Sequence, residues 1–204
     1  GWCDHIARMW PVDGVIGENG AFYFRKTLGG IVRAHVYNKA ARAENRAKLN
    51  RIRDEVLTSV PGCAIASDQA YREYDLAVDF CEDVPRLNEH DVERIVDIFQ
   101  AHGATAKISS IHVNGWFGTY DKLSMTRRYI AEVDGHNFDV QPEDYAFVGD
   151  SPNDEPMFKA FPCSYGVANI KRFLPKLTHK PSHITKAEGG AGFAEVVQTL
   201  LASL

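Results

Sequence analysis

One segment limits what this chain can fold into more than any other: Tyr145-Ala-Phe-Val-Gly149-Asp150-Ser151-Pro152-Asn153-Asp154. An apolar run ends in a glycine turn and then presents two aspartates four residues apart. Such a run reads as a strand of a parallel sheet. Asp150 is then expected at the strand's carboxyl end, where open α/β sheets place their ligands. If Ser151 or Pro152 opens the next helix, Asp154 falls in its first turns and leans back toward Asp150, forming an acidic pocket suited to a hard cation such as Mg²⁺. Asn153 can orient the same cluster or donate to a phosphate oxygen. The acids would serve equally as helix caps, since Asp and Asn are favoured there.

The surrounding pattern supports an α/β layer. Helix Leu123 to Val133, a short helix near Asn153 to Lys159, strand Ser164 to Val167, a helix near Lys171, strand Ser182 to Thr185 and a terminal helix Gly192 to Leu204 alternate as in a parallel, helix-covered sheet. Upstream the texture differs. Val15-Ile16 runs into the turn Gly17-Glu18-Asn19-Gly20, a hairpin is expected over Ala21 to Tyr37, and a basic helix follows from Lys39 toward Pro61-Gly62. Strands at Cys63 to Ala66, Leu76 to Phe80 and Ile108 to Asn114, with a helix from about Glu89 to His102, then complete a small antiparallel α+β unit. A compact insert thus interrupts an α/β layer, with glycine-bearing crossings near Gly20 and Gly115 to Gly118.

Composition excludes several classes. With 23 basic and 27 acidic side chains in 204 residues, the net charge is −4, and a nucleic-acid partner, which needs surplus positive charge, is not expected. No stretch resembles a membrane span or a signal peptide, so a cytoplasmic protein is expected. The four cysteines, Cys3, Cys63, Cys81 and Cys163, form no C-x-x-C pair and read as buried free thiols. Lys122, 28 positions before Asp150, opens a helix. The helix dipole disfavours a cation there, which is explained if neighbouring carboxylates and an incoming phosphate offset it.

These residues resemble the haloacid dehalogenase superfamily of phosphohydrolases, in the subgroup whose α/β cap follows the second motif and which includes sucrose-phosphate phosphatase, mannosyl-3-phosphoglycerate phosphatase and the Cof-type sugar phosphatases. Gly17-Glu18-Asn19-Gly20-Ala21 is similar to the element leading into the cap. Asp121-Lys122 is similar to the catalytic-lysine motif, and Gly149 to Asp154 to the metal-binding motif. The resemblance implies a Rossmann-like core from residues 1–20 and 119–204, and a cap from 21–118. It implies hydrolysis of a sugar phosphate or similar small phosphorylated metabolite through an aspartyl-phosphate. Lys122 would neutralise phosphate and nucleophile, Asp150 and Asp154 would hold Mg²⁺, and Asn153 with Ser151 would support metal and phosphate.

The chain departs from the family at one point. Only 17 residues precede Glu18, and they contain no Asp-x-Asp-Gly. The nucleophile, the general acid and about two strands are therefore expected to be missing from this chain, which alone should be inactive. The sheet edge bared beside the Asp150 strand would have to be covered by the missing segment or by a second chain. Substrate recognition is expected from Asn19, from Gln69 and Arg72 in the loop Ser67 to Arg72, and from His112 and Asn114, which alternate onto one sheet face. A non-catalytic binding module and a phosphomutase of similar fold are the rival readings.

Overall fold

The computed structural model describes residues 2–202, which divide between Tyr129 and Ile130 into two compact units. The first unit begins with α1 (Trp2–Met9), β1 (Val15–Gly17), β2 (Phe22–Thr27) and β3 (Gly30–His35). The three strands form an antiparallel sheet in the order β1-β2-β3. The expected hairpin is β2–β3, closed at its tip by the Thr27 hydroxyl donating to the Gly30 carbonyl. Helix α1 was not among the elements expected from the sequence. It lies on β1 and β2 through Cys3 and Ala7, so close that a Cβ on Gly17 would meet the Cys3 sulfur at 2.8 Å.

The same unit continues with α2 (Lys39–Ser59), β4 (Ala64–Ile65), β5 (Leu76–Asp79), α3 (Glu89–Ala101), β6 (Thr105–Ile108), β7 (His112–Trp116) and α4 (Lys122–Tyr129). Asn38 and Asn88 cap α2 and α3, each accepting a backbone N–H three residues on. Strands β4 to β7 form the expected antiparallel sheet, in the order β4-β5-β7-β6. One of its faces carries Leu76, Val78 and Val113 against Leu49, Ile52 and Val56 of α2 and Ile95 and Phe99 of α3. The basic side chains of α2 therefore point away from a conventional apolar interface.

The second unit holds β8 (Ala146–Gly149), α5 (Glu155–Ala160), β9 (Cys163–Gly166), β10 (His183–Ile184) and α6 (Gly189–Leu201). Its strands are parallel, in the order β10-β9-β8, as the alternating pattern predicts, with β8 at one edge. Phe147, Phe158, Ile170 and Leu177 pack beside the sheet. Two expected helices differ. The one predicted over Leu123 to Val133 leaves α geometry after Tyr129 for a π-turn, Ile130–Asp134, and the one near Lys171 is a 3-10 helix, Ala168–Lys176. Pro175, which cannot donate a backbone hydrogen bond, lies inside the latter. The cysteines are free, as predicted, but half-buried rather than buried. Trp116 and Tyr120 are buried packing residues. No helix among the described residues is long and apolar enough to cross a membrane.

Gly115 in β7 fixes how closely the four-stranded sheet meets α3, because a Cβ there would stand 2.1 Å from the ring of Phe99, which is fully buried. Gly115→Ala is expected to destabilise the protein by roughly 1–3 kcal/mol. The measurement is the urea midpoint, which should fall at an unchanged slope; an unmoved midpoint would show that the ring yields freely.

Candidate active site

The Asp150 turn has the geometry the sequence suggests, with one refinement. Strand β8 delivers Gly149, and the chain turns through Ser151 into a 3-10 turn, Pro152–Asp154, that runs on into α5. Asp154 is buried, and its Oδ2 accepts the backbone N–H groups of Asp150 (3.0 Å) and Ser151 (3.3 Å). Gly149 is needed for this approach, since a Cβ there would lie 2.8 Å from the same oxygen. The Ser151 hydroxyl donates to Asn153 Oδ1 at 2.5 Å. Asp154 therefore does lean back, but onto the backbone of Asp150, and fixes the turn. Asp150 is exposed, and its carboxylate makes no hydrogen bond or ion pair with the described residues.

The other two sequence elements meet within the first unit. Glu18 and Asn19 adopt left-handed conformations (φ 45° and 57°), and Gly20 follows at φ 99°. A Cβ on Gly20 would lie 2.0 Å from the Asp121 carbonyl oxygen, so only glycine lets this turn rest on the start of α4. Asp121 caps α4 by accepting the Ser124 N–H at 2.7 Å, and Lys122 is the first residue of the helix, partly buried.

Four of the five predicted substrate residues gather around a carboxylate that the sequence reading missed, Asp75, which is fully buried. Asn19 Nδ2 donates to Asp75 Oδ2 (3.2 Å), and Arg72 Nη1 to both its oxygens (3.2 Å each). Gln69 bonds the Asp75 carbonyl (2.9 Å) and accepts from the Ala77 N–H (2.8 Å), while Asn114 accepts from Arg72 at 3.4 Å. The remaining guanidinium donors of Arg72 serve Asp68. His112, the fifth, lies on the same sheet face but meets Asp79 and Glu82 instead. That face is not solvent surface, for His112 and Asn114 are 6% and 8% exposed. An acidic residue immediately before the strand-like segment Leu76 to Phe80 was the available signal for Asp75.

Electrostatics sharpen the picture. Oε2 of Glu18 takes backbone N–H groups from Glu73, Tyr74 and Asp75 in succession. Burial pushes its carboxyl up to about 7, helped by repulsion from Asp75 and opposed by those three hydrogen bonds. Burial likewise raises Asp75, against the nearby charges of Arg72 and Arg46. Burial works against the Arg72 charge too, but Asp75 and Asp68 outweigh it and hold the guanidinium above its usual range.

The sequence matches no protein-family model and no curated protein. Solved structures match over most of their length. The Thermoplasma acidophilum 0175 protein is 17% identical with a TM-score of 0.66, over 96% of this chain and 76% of its own. SMU.1108c from Streptococcus mutans UA159 gives 14% and 0.65, over 93% and 77%. The sucrose phosphatase of Synechocystis sp. PCC6803, solved with sucrose and phosphate, gives 12% and 0.61, over 92% and 73%. The chain shares its fold with these solved structures, a sucrose phosphatase among them. It is a mixed α/β fold with a parallel sheet, as the sequence resemblance implies.

Glu18 titrates above its unfolded value of 4.5, so between roughly pH 4.5 and 7 the folded state holds more protons and stability falls as pH rises. Glu18→Gln keeps an oxygen for the three N–H donors and removes the charge. Denaturant unfolding at pH 5 and pH 8 should show wild type losing more stability than the variant, by roughly 3 kcal/mol or less. Equal losses would show that Glu18 ionises normally.

Proposed function

We propose that this chain belongs to a Mg²⁺-dependent phosphomonoester hydrolase acting on a sugar phosphate or similar small phosphorylated metabolite. The observation that supports this best is the exposed, unengaged carboxylate of Asp150. It sits at the carboxyl end of a parallel strand, on a turn held by Asp154, in a fold shared with a sucrose phosphatase. A related likeness is to a trehalose-6-phosphate phosphatase related protein, at a TM-score of 0.51 and 19% identity.

The donor set fits the ion. Asp150 offers a free carboxylate, and Asn153 and Ser151 bring further oxygens beside it, hard ligands of the kind Mg²⁺ accepts while retaining several waters. When bound, the ion would clamp the phosphoryl oxygens and offset their charge. In this reading Asp150 is the direct ligand and Asp154 supports it by fixing the turn. Lys122, presented by α4 where the Glu18 to Gly20 turn packs, supplies a positive charge for the phosphoryl group and its attacking carboxylate. Residues 1–20 and 119–204 then make up the catalytic core and 21–118 the cap. The buried polar face bearing Arg72, Asn114 and Gln69 recognises the substrate's hydroxyl groups, with Asn19 beside it.

No Asp-x-Asp occurs anywhere in the 204 residues. The reading therefore requires the attacking aspartate and the general acid from outside them, on a strand added at the open edge of β8, and residues 1–204 alone should leave phosphate esters intact. That same lack favours one second reading, a binding module that keeps the pocket without the chemistry. The test is phosphate release by the full-length protein from an aryl phosphate and a panel of sugar phosphates, with and without Mg²⁺. Mg²⁺-dependent release is expected; an isomerised sugar phosphate would indicate a mutase, and no turnover of any kind the binding module.

Asp150→Asn is expected to lower Mg²⁺-dependent turnover on the order of 10²-fold or more, and unchanged turnover would remove Asp150 from the metal site. Lys122→Ala should reduce kcat more than it weakens Mg²⁺ binding; a variant indistinguishable from wild type would leave Lys122 outside the chemistry.

A further inference from the structure

We propose that the turn following β5 binds a single transition-metal ion of the zinc class through Asp79, Glu82 and His112. Among the described residues, these are the one group of three potential ligands whose donor atoms converge, all within 4.8 Å of one another. They share no residue with the Asp150 turn.

The site is built by strand register and by one loop. Asp79 and His112 stand directly opposite each other across the β5–β7 ladder, so both side chains leave the sheet on the same face. The strand ends are fixed nearby, since the Ser109 N–H donates to the His112 carbonyl and the His112 N–H to the Ser109 hydroxyl. Asp79 then organises the loop that brings Glu82. Its Oδ1 accepts the backbone N–H groups of Cys81 (2.8 Å) and Glu82 (2.7 Å), and its Oδ2 that of Asp83 (2.8 Å). A carboxylate has about four acceptor positions. Three are used, and Oδ2 keeps one, which is what a monodentate metal ligand requires.

His112 points to the ligand independently. Its ring is buried, and Nε2 has no hydrogen-bond partner, although it lies only 2.8 Å from Glu82 Oε2. The two atoms are thus close without a hydrogen bond between them. Ligands directed at a common third point have this relation, flanking each other rather than facing. Bonds of about 2.0–2.1 Å to one tetrahedral ion would set ligand atoms roughly 3.3 Å apart, a spacing the exposed Glu82 side chain can reach by a small rotation. A buried polar atom without a partner is costly, and an ion would satisfy it. Imidazole nitrogen selects zinc, copper, iron or nickel over Mg²⁺ and Ca²⁺, and three protein ligands leave a fourth position for water.

The test is to strip the full chain with EDTA and titrate it with Zn²⁺ alone, by calorimetry against a competing chelator. One Zn²⁺ per chain and a raised melting temperature are expected. Co²⁺ in its place should give the visible bands of a low-coordinate site. His112→Gln and Glu82→Ala should each weaken the affinity at least about tenfold and abolish those bands, whereas Asp150→Asn should retain both. Because Glu82 is exposed, its variant remains informative even if His112→Gln fails to fold. Absence of stoichiometric Zn²⁺ binding would overturn the proposal and leave His112 and Glu82 as an ion pair. Binding undiminished in Glu82→Ala would overturn it equally, by placing the metal elsewhere.

Discussion

The first unit depends on a carboxylate held by main chain. Glu18 receives three consecutive backbone N–H groups, from Glu73, Tyr74 and Asp75, and so binds the turn after β1 to the segment that becomes β5. An apolar contact could not do the same, because the buried donors of Tyr74 and Asp75 lie just before the strand ladder begins and would be left without acceptors. The tie also accounts for the strained turn. Glu18 and Asn19 both take positive φ, which is unfavourable for residues with a side chain, and the hydrogen bonds at either side compensate. Asn19 uses that conformation to reach Asp75, and Gly20 uses its own to settle on the first turn of α4.

Placing Glu18 beside Asp75 is electrostatically expensive, and the surroundings show how the cost is met. Two carboxylates share a buried region, so burial and mutual repulsion both favour protonation of one of them. Arg72 counters with donors to both oxygens of Asp75, and Arg46 bonds the carbonyls of Arg72 and Asp75 and holds the loop from below. Replacing such a set with apolar side chains is often neutral or stabilising. Its presence on a sheet whose other face packs apolar side chains against α2 and α3 is therefore weak grounds for a stabilising role.

What the sequence revealed depended on how local the physics was. The β8 run, its glycine turn and the return of Asp154 were legible because strand, turn and cap are written within ten residues, and Gly149 is required there for a reason its neighbours supply. The antiparallel sheet was legible from period and turn signals. Helix α1 was not read from the sequence although its eight residues are strongly amphipathic; it is short, and its apolar side, with Cys3 and Ala7, is held against β1 and β2. The Glu18–Asp75 pairing was hidden for a different reason: the partners are 57 residues apart, and nothing in either neighbourhood announces that two like charges will meet. His112 was singled out as polar on an alternating strand, but the identity of its neighbours depended on β5–β7 register, which alternation alone does not fix.

That register has a consequence for the whole polar face. Because Ala77 pairs with Asn114 and Asp79 with His112, a shift of one residue in β7 would turn Val113 out of the core and drive His112 and Asn114 into the helices. The hydrophobic contacts of Val78 and Val113 with α2 and α3 therefore select the register that also assembles both polar groups, one around Asp75 and one around Asp79. The arrangement of this face is in that sense a by-product of core packing on the other. A substitution at Val113 would reach Arg72, Asn114 and His112 without touching any of them, whereas a change at an exposed strand residue would not.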